Sequence, residues 1–91
     1  MYAAIVTVTI DPAQAPAAAA ALMADVLPRI RSAPGFVSGY WMEPVGGQGL
    51  SVVLFKEEEQ ARAATPPAIG WTAPGVTVDG VEFRRVAVAV P

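Results

Sequence analysis

Any chemistry in this chain rests on a small set of side chains. The sequence has no histidine and no cysteine, which removes nucleophilic triads, thiol chemistry and the usual soft metal ligands. Acid or base work falls to the 8 carboxylates, the 2 tyrosines and the single lysine, Lys56. Glu43 closes an aromatic stretch and Glu82 stands beside the basic pair Arg84 and Arg85, so each could face a cavity. The ordinary reading of both is a charge on the rim or surface. Glu57, Glu58 and Glu59 are contiguous, and helix neighbours do not share a face. No carboxylates have metal-site spacing, so neither a metal nor a cofactor is expected. Gly46, Gly47 and Gly49 fall between two strand patterns with no helix opening after them, and they read as turn glycines, not a phosphate cradle.

Aromatic residues are the stronger candidates. Tyr40, Trp41, Trp71 and Phe83 could wall an apolar pocket that orients a substrate and excludes water. They could equally be core or interface residues, where aromatics are common. Tyr40 and Trp41 are adjacent in a strand and point to opposite sheet faces, so at most one lines a one-sided cavity. Arg84, with Arg29 and Arg85, could hold an acidic or phenolate group of a ligand. The ordinary reading of these arginines is solvation at helix ends and strand edges. The catalytic residues are unknown at this level. The substrate-binding candidates are Tyr40, Trp41, Trp71, Phe83 and Arg84.

The elements that must position them follow from periodicity. Tyr2 to Ile10 alternates with two mild faces, as expected of a central strand covered on both sides. Asp11, Pro12 and Gln14 have the spacing of a helix start, although Pro16 allows the helix to begin later, with that proline in its first turn. The alanine run favours helix, and Leu22, Val26, Leu27 and Ile30 give it an apolar stripe. Pro28 predicts a kink or a change of helix type before Arg29 to Ser32, and Ala33, Pro34 and Gly35 end the helix.

Phe36 to Met42 and Gly49 to Phe55 read as an antiparallel pair joined by a glycine-rich loop. Glu57 to Ala64 is a short helix with an acidic first turn. Thr65 to Gly75, rich in proline and glycine and carrying Trp71, is irregular and could form a lid. Val76 to Val90 reads as one long, bent fourth strand, with Asp79 and Gly80 as an alternative hairpin turn. Val81 and Phe83 share a face, whereas Val86, Val88 and Val90 have the opposite parity. Either a bulge near Arg84 and Arg85 or a strand end that pairs with a partner chain accounts for this. The order is βαββαβ, a ferredoxin-like α+β fold with an antiparallel sheet, strands one and four adjacent, and helices on one face.

Composition bounds the rest. Ninety-one residues make one domain, residues 1–91. Apolar residues are 54% and charged ones 15%, more apolar than the core of a small monomer requires. Together with the bare second sheet face, this predicts a homodimer. A net charge of −2 with scattered basic residues argues against nucleic acid. The alanine-rich run from Ala15 to Met23 is too short to span a bilayer, and no export signal precedes the first strand. No membrane association is expected, and the cysteine-free composition suits the cytoplasm.

Strand one ending in Asp11 and Pro12 carries the first part of a family resemblance. The second part is the helix end Leu27, Pro28, Arg29, Ile30, Arg31, Ser32, Ala33, followed by Pro34, Gly35, Phe36, Val37, Ser38, Gly39, Tyr40 and Trp41. In organisation the chain resembles, over nearly its whole length, the antibiotic biosynthesis monooxygenase-like group of dimeric α+β barrel proteins. That resemblance implies a dimeric α+β barrel. It also implies, as one function, a cofactor-independent monooxygenase acting on a small aromatic or polyketide-like substrate. The haem-degrading branch of the superfamily typically holds iron with a histidine, which this chain lacks, so haem chemistry is not expected. The alternative function is a non-catalytic homodimer that binds a small apolar or aromatic ligand or serves a structural role.

Overall fold

The structure is a computed structural model that describes residues 1–65 and 73–91. Trp71 and the proposed lid around it lie outside the described residues, apart from the lid's ends.

Strand β1 (Tyr2–Ile10) is central in a four-stranded antiparallel sheet of order β2-β3-β1-β4. Its neighbours are β3 (Gln48–Phe55) and β4 (Val76–Arg85), and β2 (Phe36–Trp41) forms the far edge. The two faces differ by strand parity. Tyr2, Ala4, Val6 and Val8 stand beside Phe55, Val53, Ser51 and Gly49 of β3 on the face that packs against the helices. Ala3, Ile5 and Thr7 stand beside Leu54, Val52 and Leu50 on the opposite, open face.

The first helical segment resolves its three prolines in turn. Asp11 caps a 3-10 turn at Pro12–Gln14, its carboxylate accepting from the Ala13 amide at 3.0 Å. Helix α1 (Ala15–Ala21) then starts with Pro16 in its first turn, where no amide donor is missed. A π-helical turn at Leu22–Val26 separates it from α2 (Leu27–Arg31), with the Leu27 amide donating to the Leu22 carbonyl. The wider turn moves the preceding carbonyls away from the Pro28 ring, so the expected change of helix type takes the form of a π-bulge. Pro28 itself sits in the first turn of α2.

Gly35, at φ 78°, turns the chain into β2, and a Cβ there would sit 1.8 Å from the Gln60 side-chain oxygen. That oxygen accepts from the Glu57 amide at 3.1 Å and completes a capping box on α3 (Glu58–Ala63). The α2–β2 turn therefore packs directly on the start of α3. Gly46 and Gly47, both at positive φ, make the two-residue turn between Val45 and Gln48.

β4 is one bent strand, but its irregularity is not near Arg84 and Arg85. Thr7 pairs with Gly80 and Val8 with Val78, so Asp79 is the extra residue of a bulge. Thr9 Oγ1 donates to the Asp79 carboxylate at 2.5 Å. The bulge brings Val76 and Val78 onto the same face as Val81 and Phe83. The strand ends at Arg85, short of the expected Val90. Val88 and Val90 are exposed beyond it.

The buried core is Ala4, Val53, Phe55, Ala61 and Ala64, with Tyr2, Ile30, Phe36, Trp41 and Phe83 packed around it. Phe36 meets Phe55 edge to face at 6.3 Å. This cluster fills the sheet under α2 and α3. Under α1 the same sheet face is not filled.

Candidate ligand cavity

The unfilled region follows from side-chain size. α1 is Ala15, Pro16 and five alanines, and it presents Ala15, Ala18 and Ala19 to the sheet. Opposite them lie Gly49 and Ser51 of β3 and Val6 and Val8 of β1. Small residues on both layers cannot close the distance at which a helix stands off a sheet once Leu22, Val26 and Ile30 have set the spacing. The result is a cavity of about 570 Å³, in the size range of sites for small organic ligands.

Its wall is almost wholly apolar. The floor is Ala4, Val6, Val8 and Ile10 of β1 with Gly49, Ser51, Val53 and Phe55 of β3. The roof is α1, the π-turn and Ile30, and Ala64, Thr65, Ala73 and Val76 close one side. Trp41, Met42, Glu43 and Pro44 close the other. Thr65 is buried, and its hydroxyl is spent on the Ala61 carbonyl at 2.6 Å. The Ser51 hydroxyl has no hydrogen-bond partner among the described residues and is the polar group the floor offers a ligand. Glu43 is exposed and lines the cavity, which places it at the mouth.

The structure separates the five candidates named from the sequence. Trp41 lines the cavity, whereas Tyr40, its neighbour, lies on the open face and is 56% exposed. Trp41 lies flat along its own strand because residue 39 is glycine: a Cβ at Gly39 would come within 2.7 Å of the indole ring. Phe83 packs against the core under α3 and outside the cavity wall, with the Arg62 guanidinium 4.4 Å from its ring centroid. Arg62 is held there by Glu58 at 2.8 Å. Arg84 is on the open face, paired with Glu82 at 2.7 Å, so the two do not face the cavity. Trp71 lies outside the described residues. Trp41 and Glu43 are thus brought together at one site, and Tyr40, Phe83 and Arg84 are elsewhere.

No family model matches the chain, and no curated protein matches it. Among solved structures, the haem degrader MhuD of Mycobacterium tuberculosis, with two haems bound in its active site, superposes with a TM-score of 0.75. It is 18% identical, and the match covers 100% of both chains. A candidate antibiotic biosynthesis monooxygenase from Chloroflexus aurantiacus J-10-fl superposes with a TM-score of 0.65 at 15% identity, over 99% of this chain and 96% of that one. The fold is the one these proteins share. The resemblance drawn from Asp11–Pro12 and the Leu27 to Trp41 segment therefore holds at the level of fold. Among the described residues no helix is long and apolar enough to cross a membrane.

Proposed function

We propose that the cavity binds one small aromatic molecule and oxygenates it with dioxygen without a cofactor. The observation that carries the reading is the apolar, 570 Å³ space between α1 and the sheet, walled by Trp41 and with Glu43 at its mouth. The fold likeness to the candidate monooxygenase supports the choice of reaction. A suitable substrate carries an activated CH₂ in an aromatic frame. Glu43 accepts its first proton, and the carbanion reacts with dioxygen. The CH₂ becomes C=O, retaining one oxygen atom, and the other leaves as water. The substrate supplies all four electrons, so no external reductant is needed. The cavity's part is to hold the ring against Trp41 with the reacting carbon beside Glu43 at the mouth.

Haem, which MhuD binds, is the alternative occupant the fold suggests. The residues here do not fit. The chain has neither histidine nor cysteine to hold iron. The described cavity wall also has no lysine or arginine to meet the two propionates.

The open face supports a homodimer. Leu54, Ala3 and Ser38 lie across it in one row, and Tyr40, Val52 and Ile5 in the next. A second copy stacking its own open face there would cover these residues and give the dimeric α+β barrel. Oxygen uptake tests the catalytic reading. The expected result is uptake with anthrone-type compounds that is lost in Trp41→Ala while the fold persists. Binding without uptake across a broad panel would leave the alternative, a non-catalytic small-molecule carrier.

A further inference from the structure

We infer, resting on the reading of the cavity as a ligand site, that its ligand enters uncharged, presents a hydroxyl or amine donor to Glu43 at the mouth, and is selected against its anionic counterparts. Among the described residues of the wall, Glu43 is the only ionisable side chain. Residues 66–72, whatever their position, read Pro-Pro-Ala-Ile-Gly-Trp-Thr and add none.

The cations are committed elsewhere or lie outside the described wall. Arg29 pairs with Asp25 at 3.1 Å, Arg62 with Glu58 while lying over Phe83, and Arg84 with Glu82 on the open face. Arg31, Lys56 and Arg85 are exposed. A carboxylate, sulfonate or phosphate drawn into this space would lose its water and gain no counter-charge. It would also pass a fixed negative charge at the mouth. A neutral donor there finds an acceptor. The ring system behind it finds Trp41 and aliphatic side chains, so size and aromaticity are satisfied by the walls and charge is policed at the entrance.

Two fluorescent probes with one ring skeleton test this: phenyl-naphthylamine, which is neutral and carries an N–H, and its sulfonated counterpart, anilinonaphthalene sulfonate. The expected result is saturable, blue-shifted emission from the neutral probe and at least about tenfold weaker binding of the sulfonated one. In Glu43→Gln, which removes the charge at an exposed position, the sulfonated probe should bind at least about threefold more tightly, narrowing the gap. Ala18→Leu, which adds bulk to the cavity from α1, locates the signal and should weaken it. Equal or tighter binding of the sulfonated probe would overturn the charge rule while leaving the ligand site standing. An unchanged gap in Glu43→Gln would overturn the role of Glu43. Failure of both probes to bind, or emission unchanged in Ala18→Leu, would overturn the ligand-site reading itself.

Discussion

Replacing Ala18 with leucine places a larger side chain where the structure has space. Ala18 is buried on α1 and lines the cavity. Leucine is nearly as good a helix former as alanine, so the local helix cost is small. Three added carbons at about 0.8 kcal/mol each give roughly 2.4 kcal/mol of transfer free energy. Ordering the leucine side chain returns about 0.5–1 kcal/mol, leaving a net stabilisation of roughly 1.5 kcal/mol. In a domain of this size each kcal/mol moves the midpoint by about 4–8 °C, so Tm should rise by roughly 6–12 °C. The assay is thermal denaturation of both proteins, read by circular dichroism, with urea unfolding to confirm the free energy. A bound aromatic ligand at a hundred times its Kd adds about 2.7 kcal/mol to the parent, and at the same ligand concentration this increment should shrink in the variant. If Tm instead falls, the substitution has overpacked a closed site, a change that costs about 1–3 kcal/mol. The cavity on which the functional proposal stands would then not exist in solution.

Other perturbations separate the wall, the fold and the interface. Trp41→Ala should weaken aromatic ligand binding by about three- to tenfold from lost ring contact alone, measured by calorimetry, with little change in the circular dichroism spectrum. Gly35→Ala should cost about 2–3 kcal/mol in urea unfolding, because it combines a positive φ with a collision against the Gln60 cap. Val52→Glu on the open face should shift the protein from dimer to monomer in analytical ultracentrifugation. An unchanged dimer would move the interface elsewhere.

Much of the architecture was readable from residue order because local signals agreed with one another. β1 shows its alternation, Gly46 and Gly47 announce a two-residue turn, and the proline at position 28 requires a break that the structure supplies as a π-turn. The opposed directions of Tyr40 and Trp41 follow from the strand period alone. The bulge at Asp79 was also legible in principle. Val76 and Val78 are even-numbered and Val81 and Phe83 odd-numbered, so a single extra residue between them puts all four on the helix side. The expectation instead rested on the valines after Arg85, which lie outside the strand and impose no register.

The cavity was harder to read. The alanine run carries a strong helix signal, and that signal masks what small side chains do when they face Gly49 and Ser51 across a layer. A void is a pairwise property of two elements, and sequence shows each element separately. The same limit applies to Phe83 and Arg84. Their types suit a ligand site, but only the strand register shows that one lies under α3 and the other on the open face.

The central claim is that an aromatic molecule is held between α1 and the sheet, and amide and methyl NMR of the labelled protein titrated with phenyl-naphthylamine tests it most directly. Saturable shifts are expected at Ala18, Leu22, Val53, Ser51 and the Trp41 indole N–H, all on one binding curve. Shifts confined to Tyr40, Val52 and Leu54 on the open face, or no shifts at saturating probe, would contradict it.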